Sequence, residues 1–329
     1  MPIHAIGLIS GGLDSLLALR LMQDQGLGVE AMHVILPVHG PQTLAWVKEV
    51  TARMGVPLSL VDAETEFLAI VRRPRHGYGA GMNPCLDCHV LLLRMAAARM
   101  REVGAAFVFT GEVLDERPMS QHQQGLDLVE RKSGLAGRLL RPLSAQLLPP
   151  TIPEQEGLVD RGRLLAIAGR RRLAQFALAR HYGLAGYPPP AGGCFLTKDD
   201  SARRLRDVAQ HRPEFSRSDF YLVRVGRHFR LSPRARVIVG RGEEENARIA
   251  ALAEEGDLLF EVPAIGSPVT LLRGDVDEEA IRLAAAITAR YSDAHAPRVV
   301  VRYGESYPEL ARQIEVEPAA ADWLETIRI

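Results

Sequence analysis

The segment LISGGLDSLLALRLM, Leu8–Met22, sets the tightest constraint in the chain. An apolar run ends at Ile9, the chain breaks at Ser10-Gly11-Gly12, and a helical pattern resumes by Asp14. A strand that passes into a helix over so few residues needs glycine for the turn, and it leaves the first N–H groups of the helix unpaired beside that turn. Those N–H groups, at the positive end of the helix dipole, attract anions. Ser10 and Ser15 add hydroxyl donors. Asp14 would repel a bare phosphate, so it reads either as a helix-start residue or as a partner of Mg²⁺ carried by a nucleotide.

The same alternation continues downstream. Ile3–Ile9, Val29–Leu36, Pro57–Val61 and Ala106–Phe109 read as strands, and Asp14–Gln25, Thr43–Met54 and Val90–Val103 as helices. Such βαβ alternation implies an α/β fold: a Rossmann-like, mostly parallel sheet whose ligands gather beyond the carboxyl ends of its strands. Arg141–Asp160 reads as an ordered crossover, and Arg163–Tyr182 as a helix carrying GRRR near its start. GYPPPAGGC, Gly186–Cys194, is too stiff and glycine-rich for helix or strand.

From about Ser216 the pattern changes. Strands are expected at Tyr221–Val225, His228–Leu231, Arg236–Val239, Leu258–Val262, Pro268–Leu272 and Arg298–Tyr303, with helices at Glu243–Glu255 and Asp277–Tyr291. This is a separate α+β module, and a boundary within His211–Ser218 gives domains 1–212 and 213–329.

With 329 residues, 47% of them hydrophobic, the chain can bury two or three cores. Lysine plus arginine equals aspartate plus glutamate at 40 each, so any basic face must be local. No apolar run reaches the roughly 18 residues of a membrane span, and the N-terminus lacks a signal-peptide pattern. The reading is a cytoplasmic protein with no membrane partner. Three cysteines are too few for a disulfide framework and leave metal or thiol chemistry open.

SGGLDS resembles the pyrophosphate loop, SGGxDS, of the N-type ATP pyrophosphatases. That resemblance implies the PP-loop (adenine nucleotide alpha hydrolase) fold, cleavage of ATP to AMP and pyrophosphate, and ATP bound by Ser10, Gly11, Gly12, Asp14 and Ser15. It also implies an adenine resting on the second strand near Met32 and His33. It is not a Walker loop.

Cys85 and Cys88, in NPCLDCH, open a helix after a glycine-rich loop, and Cys194 ends PPPAGGC. A CxxC pair serves metal or cluster ligation, or dithiol and persulfide work, and a helix N-terminus lowers a thiol pKa for either. NPCxxC with a later Gly-Gly-Cys-Phe resembles the tRNA 2-thiouridylases. TGEVLDERPMSQ, Thr110–Gln121, resembles the TGExLGQVxSQ segment of the 4-thiouridine synthetases, although Asp115-Glu116-Arg117-Pro118 departs from its core. These likenesses imply that Cys85 and Cys194 carry sulfur chemistry with Asp14, and that Thr110 and Gly111 belong to the ATP site. They also imply a sulfur donor, either a cysteine desulfurase or sulfide. In a related class of tRNA thiolases, three cysteines hold a 4Fe–4S cluster, as Cys85, Cys88 and Cys194 would here. Retention of all three favours the cluster over a persulfide shuttle, which needs only two.

A tRNA substrate needs a basic surface. HFRLSPRARVIVGRGEEENARIAAL, VPAIGSPVTLL and ITARYSDAHAPRVVVRYG, in that order, look like the NFACT-R RNA-binding domain. Arg224, Arg227, Arg230, Arg234, Arg236 and Arg241 fall within 18 residues with no acid between them. Arg227, Arg230, Arg236 and Arg241 are the expected RNA contacts there, and Arg170, Arg171 and Arg172 form a second candidate set. The resulting expectation is an ATP-dependent tRNA sulfurtransferase. A PP-loop ligase or sulfur-insertion enzyme acting on a small molecule, and a non-catalytic RNA quality-control factor, stay open beside it. The modified uridine, the carbonyl thiolated, the general base and the oligomeric state, a homodimer included, are not specified.

Overall fold

The computed structural model describes residues 2–189 and 194–329, so Pro190–Gly193 of the expected PPPAGG turn lie outside the described residues. The chain forms two compact units, the first ending at Thr197 and the second spanning Lys198–Ile329.

In the first unit the elements follow as β1 (Ala5–Leu8), α1 (Leu13–Asp24), β2 (Val29–Ile35), α2 (Pro41–Arg53), β3 (Leu58–Asp62), α3 (Glu64–Arg72), α4 (Cys85–Val103), β4 (Phe107–Thr110), α5 (Gln123–Ser133), β5 (Leu139–Leu140), α6 (Ile152–Gln155) and α7 (Leu173–His181). All five strands are parallel, in the order β3-β2-β1-β4-β5. The chain winds outward from β1 to β3 and then returns to β4 on the other flank of β1. That reversal is a switch point, where the loops leaving the two strands diverge and a crevice opens. Leu8 lies in register with Thr110, so the loops after β1 and β4 start side by side.

Right-handed crossovers set α1 and α2 on one face of the sheet and α4 and α5 on the other. α4 packs against α5, and α7 against α1. Leu16, Leu17, Leu19 and Met22 of α1 share one buried core with Phe107 and Phe109 of β4. Each such side chain contributes about 1.5–3 kcal/mol on leaving water.

The expected helix Arg163–Tyr182 is shorter, beginning only at Leu173. Upstream, Ala168 bridges to Leu114 and the Gly169 N–H donates to Leu114 O at 2.7 Å, so that stretch lies extended beside the loop after β4.

The second unit runs α8 (Asp199–His211), α9 (Arg217–Leu222), β6 (Arg227–Ser232), β7 (Ala235–Val239), α10 (Glu243–Ala251), β8 (Leu258–Glu261), β9 (Thr270–Gly274), α11 (Glu278–Arg290), β10 (Val299–Gly304), β11 (Arg312–Val316) and α12 (Ala321–Ile327). Its six strands are antiparallel in the order β11-β10-β8-β9-β7-β6. Alternate side chains face opposite sides, and both sides are covered. Val237, Val239, Phe260 and Leu272 join Ala284 and Ile287 of α11, whereas Ile238, Leu259 and Leu271 join Leu222 and Ile249.

Two expectations change here. Tyr221–Val225 is no strand: Ser216 and Asp219 form a capping box that starts α9, and the helix carries Tyr221 and Leu222. The compact units divide at Thr197 and Lys198 rather than at 212/213. α8 ion-pairs with β6 through Asp207 and Arg230, and Arg204 Nη1 donates to Val223 O at 3.2 Å, which ties this helix to the second unit.

Candidate active site

The loop after β1 has the geometry that its sequence demands. Gly11 adopts φ +82°, a left-handed conformation that side chains disfavour, and Gly12 caps α1 with an extended backbone. Ser15 Oγ donates to Gly12 O at 2.7 Å, the Gly12 N–H donates to Ser10 Oγ at 3.3 Å, and Trp46 Nε1 donates to Gly11 O at 2.8 Å. Trp46 on α2 therefore fixes the loop from outside, a role with no signal in the local motif.

The loop after β4 closes on the same turn. A Cβ placed on Gly111 would lie 2.4 Å from Ser15 N and 2.5 Å from the Asp14 carbonyl carbon, so only glycine permits this approach. Thr110 and Gly111, expected at the ATP site, thus lie beside the Ser10–Ser15 turn. Met32 and His33 are buried: Met32 O accepts from the Ile9 N–H at 2.9 Å, and His33 Nδ1 lies 2.7 Å from Ile9 O. His33 stacks on His39, whose pKa falls to about 4 through burial and the neighbouring His33. Neither Met32 nor His33 presents a side chain to the crevice.

Asp14 is held by an arginine rather than left to solvent. Arg172 Nη2 sits 2.5 Å from Asp14 Oδ2, and Arg172 Nε sits 3.7 Å from Glu116 Oε1. Burial, then the nearby Asp14 charge, pushes the Glu116 carboxyl up against the pull of Arg172 and Arg117. Of the three arginines expected to contact RNA, Arg172 is thus paired with acids at the loop after β1, whereas Arg170 and Arg171 are exposed. Several polar atoms around this point are buried without a hydrogen-bond partner: Asp14 Oδ1, Arg172 Nε, and both amide atoms of Gln175, one turn further along α7. Buried polar atoms are nearly always paired, so such a group marks a place built to receive polar ligand atoms. The donor and acceptor set fits a triphosphate carrying Mg²⁺, with Asp14 as the residue to hold the ion.

The cysteines converge. Cys85 is the first residue of α4, and Cys88 lies one turn on. The Met82 N–H donates to Leu196 O at 2.9 Å, pinning the segment just after Cys194 to the segment just before Cys85. Burial first, then the charges of Cys194, Cys85 and Asp87, pushes the Cys88 thiol up. The lowered thiol pKa expected from the helix N-terminus is therefore reversed at Cys88. Asn83 Nδ2 donates to Cys85 Sγ at 3.1 Å. The glycine-rich loop is fixed by Asp87, whose two oxygens accept from His76 N at 2.9 Å and Nδ1 at 2.8 Å.

Among the described residues, no three His, Cys, Asp or Glu side chains are grouped to hold a single metal ion. A 4Fe–4S cluster, with its irons at separate corners, takes its thiolates from farther apart than one ion does, and three thiols would fit three of its four irons.

Glu112 connects the two halves of the site. It follows Gly111, which abuts Asp14 and Ser15, and its Oε1 accepts from Nδ1 of His89, the neighbour of Cys88, at 2.8 Å. Its Oε2 accepts from Arg141 Nε at 3.0 Å and Thr110 Oγ1 at 3.1 Å. Burial would raise the Glu112 carboxyl, but Arg141 and His89 outweigh it and hold the pKa at about 2. The third residue of TGE was the available signal for Glu112.

The second unit uses its arginines internally. Arg236 is buried, with Nη2 3.0 Å from Asp219 Oδ1, and burial draws its pKa down to about 10. Arg230 pairs with Asp207, and Arg241 Nη2 with Glu245 Oε1 at 2.6 Å. Arg227 lies over the Tyr291 ring, 4.7 Å from its centre. The RNA-contact expectation thus fails for Arg236, which faces the interior, and Arg230 and Arg241 are already committed to acids.

Sheet order and loop geometry together give the first unit a Rossmann-like PP-loop fold. Residues 3–146 match the family described as Thiamine biosynthesis protein (ThiI), and residues 226–327 match the NFACT protein RNA binding domain. Both matches fall on the segments that the motifs singled out. A tRNA-specific 2-thiouridylase MnmA of Nitrobacter winogradskyi is 28% identical over 133 residues, 36% of this chain and 33% of that protein. The protein of the same name from Nitratidesulfovibrio vulgaris is 33% identical over 108 residues, 31% of each chain. The chain spans about one third of the length of these curated relatives. A 4-thiouridine synthetase crystallised with RNA and ATP is 24% identical, over 43% of this chain and 36% of that one, with a TM-score of 0.36, too low to bear on function. No helix among the described residues is long and apolar enough to cross a membrane.

Proposed function

We propose that the protein is an ATP-dependent tRNA sulfurtransferase. The observation that carries this reading is the approach of Cys194 and Cys85 to Cys88, whose neighbour His89 is bonded to Glu112, the residue after the Gly111 that abuts the Ser10–Ser15 loop. The two family matches support a nucleotide-cleaving unit joined to an RNA-binding one.

In this reading the N–H groups at the start of α1, with Ser10 and Ser15, bind the phosphates of ATP. Mg²⁺ held by Asp14 would offset charge on the leaving pyrophosphate. A uridine carbonyl oxygen attacks the α-phosphorus, pyrophosphate departs, and the base is left adenylated. Sulfide then adds to the activated carbon, and AMP leaves with the original oxygen, so the exchange needs no oxidant or reductant. Cys85, Cys88 and Cys194 would hold a 4Fe–4S cluster, whose chemistry is to present sulfide to that carbon. Asn83 orients Cys85 by donating to its Sγ. Glu112, kept ionised, fixes the His89 ring and the Thr110–Gly111 turn between the two reaction centres.

The test is incubation with ATP, sulfide and bulk tRNA. The expected result is pyrophosphate release that depends on tRNA together with a thiolated uridine. Cys85→Ala and Cys194→Ala should retain the first and lose the second. Pyrophosphate release that ignores tRNA would reject this reading in favour of a small-molecule substrate.

A further inference from the structure

The first turn of α7 borders the nucleotide site, because Arg172 immediately before it reaches Asp14. Two large apolar side chains stand exposed there: Leu173 at 74% and Phe176 at 36%. They are three residues apart on one helix and so share a side. The Arg172 guanidinium lies 5.9 Å from the Phe176 ring centre, which fixes the ring relative to Asp14.

The segment that carries this face has charge of one sign, although Asp14 and Glu116 approach it at Arg172. Residues 161–198 contain no aspartate or glutamate, yet they include Arg161, Arg163, Arg170, Arg171, Arg172, Arg180 and Lys198. Arg161 is committed to Glu154, Arg163 to the Asp24 carbonyl and Arg172 to Asp14. Arg170 and Arg171 are exposed at the turn itself. An aromatic ring and an aliphatic side chain framed by free guanidinium groups suit an anionic polymer that offers an unstacked base: the arginines take phosphates and the ring takes the base face.

We propose that Phe176 and Leu173 form the platform on which the RNA substrate lays a splayed-out base next to the nucleotide site, with Arg170 and Arg171 on the flanking phosphates. This rests on the RNA-substrate reading above. It adds a positioning surface in the first unit that is separate from the NFACT-like module.

The full chain, assayed for tRNA-dependent pyrophosphate release, tests it. Phe176→Ala should lower kcat/KM for tRNA about tenfold to a hundredfold, the usual worth of one base–aromatic stack. Leu173→Gln, at a site exposed enough to fold normally, should lower it several-fold. Neither should change the KM for ATP. Phe176→Trp should keep the wild-type rate, and its added fluorescence should be quenched by tRNA. Wild-type kcat/KM for tRNA in both Phe176→Ala and Leu173→Gln would overturn the platform. So would a defect confined to sulfur delivery by a protein donor, which would give this face to a protein partner instead. Wild-type pyrophosphate release without any tRNA dependence would remove the underlying reading, a result distinct from either of those.

Discussion

Asp14 and Asp219 sit in the same local setting, the first turn of a helix with arginine beside it, and serve opposite ends. Asp219 is saturated. Its Oδ1 takes Arg236 at 3.0 Å and Arg273 at 2.9 Å, and its Oδ2 takes Arg212 at 3.0 Å and the Ser216 N–H at 3.0 Å. Asp14 has one arginine, and its Oδ1 is buried with no partner. A buried acid with every lone pair engaged holds a fold together, whereas one left half satisfied at a sheet's switch point is prepared for a ligand.

The sharpest way to break this comparison is to remove both acids in turn. Asp219→Ala leaves Arg236 and Arg273 buried without their shared partner and should destabilise the second unit by about 3–5 kcal/mol in urea denaturation. Asp14→Ala should slow tRNA-dependent pyrophosphate release about a hundredfold to a thousandfold while leaving the urea midpoint close to wild type. If the two variants exchanged these phenotypes, the contrast would be wrong.

Much of the fold was legible because its signals are local. Glycines at a strand end, apolar runs and helical spacing placed β1, α1, β2 and β4 to within a few residues. The capping box Ser216–Asp219 is equally local, yet the apolar spacing of Tyr221–Val225 reads as a strand where the chain is helical through Leu222. The errors at the sites have a different origin. Arg236 lies 17 residues from Asp219, and Arg172 lies 158 from Asp14, so nothing in a local window shows that these arginines are already paired. The basic run Arg224–Arg241 therefore read as an RNA surface when part of it forms the interior of a sheet domain. The expectation that Cys194 meets Cys85 and Cys88 rests on the resemblance of their motifs to those of the tRNA thiolases, and a backbone contact between Met82 and Leu196 draws the two segments together.

Acid sharpens the comparison further. The Glu112 carboxyl is held at about 2, well below its usual range near 4.3, so it remains ionised in the fold when it would protonate in the unfolded chain. Its stabilising contribution is complete above about pH 4.5 and is lost as pH falls through about 2. Urea midpoints measured between those limits should fall more steeply for wild type than for Glu112→Gln. Parallel curves would show that the Arg141–Glu112–His89 network contributes nothing to stability. The smallest effect belongs to the exposed pair Arg241–Glu245 on one helical turn. Arg241→Ala should cost about 0.3–0.5 kcal/mol and leave pyrophosphate release unchanged.

The most direct measurement is iron content per chain after anaerobic purification, for the wild type and for Cys85→Ala, Cys88→Ala and Cys194→Ala. About four irons in the wild type, and a comparable loss in all three variants, is the expected result for three thiols acting as one ligand set. A Cys194→Ala protein with wild-type iron, or an iron-free wild type that still thiolates tRNA, would contradict it.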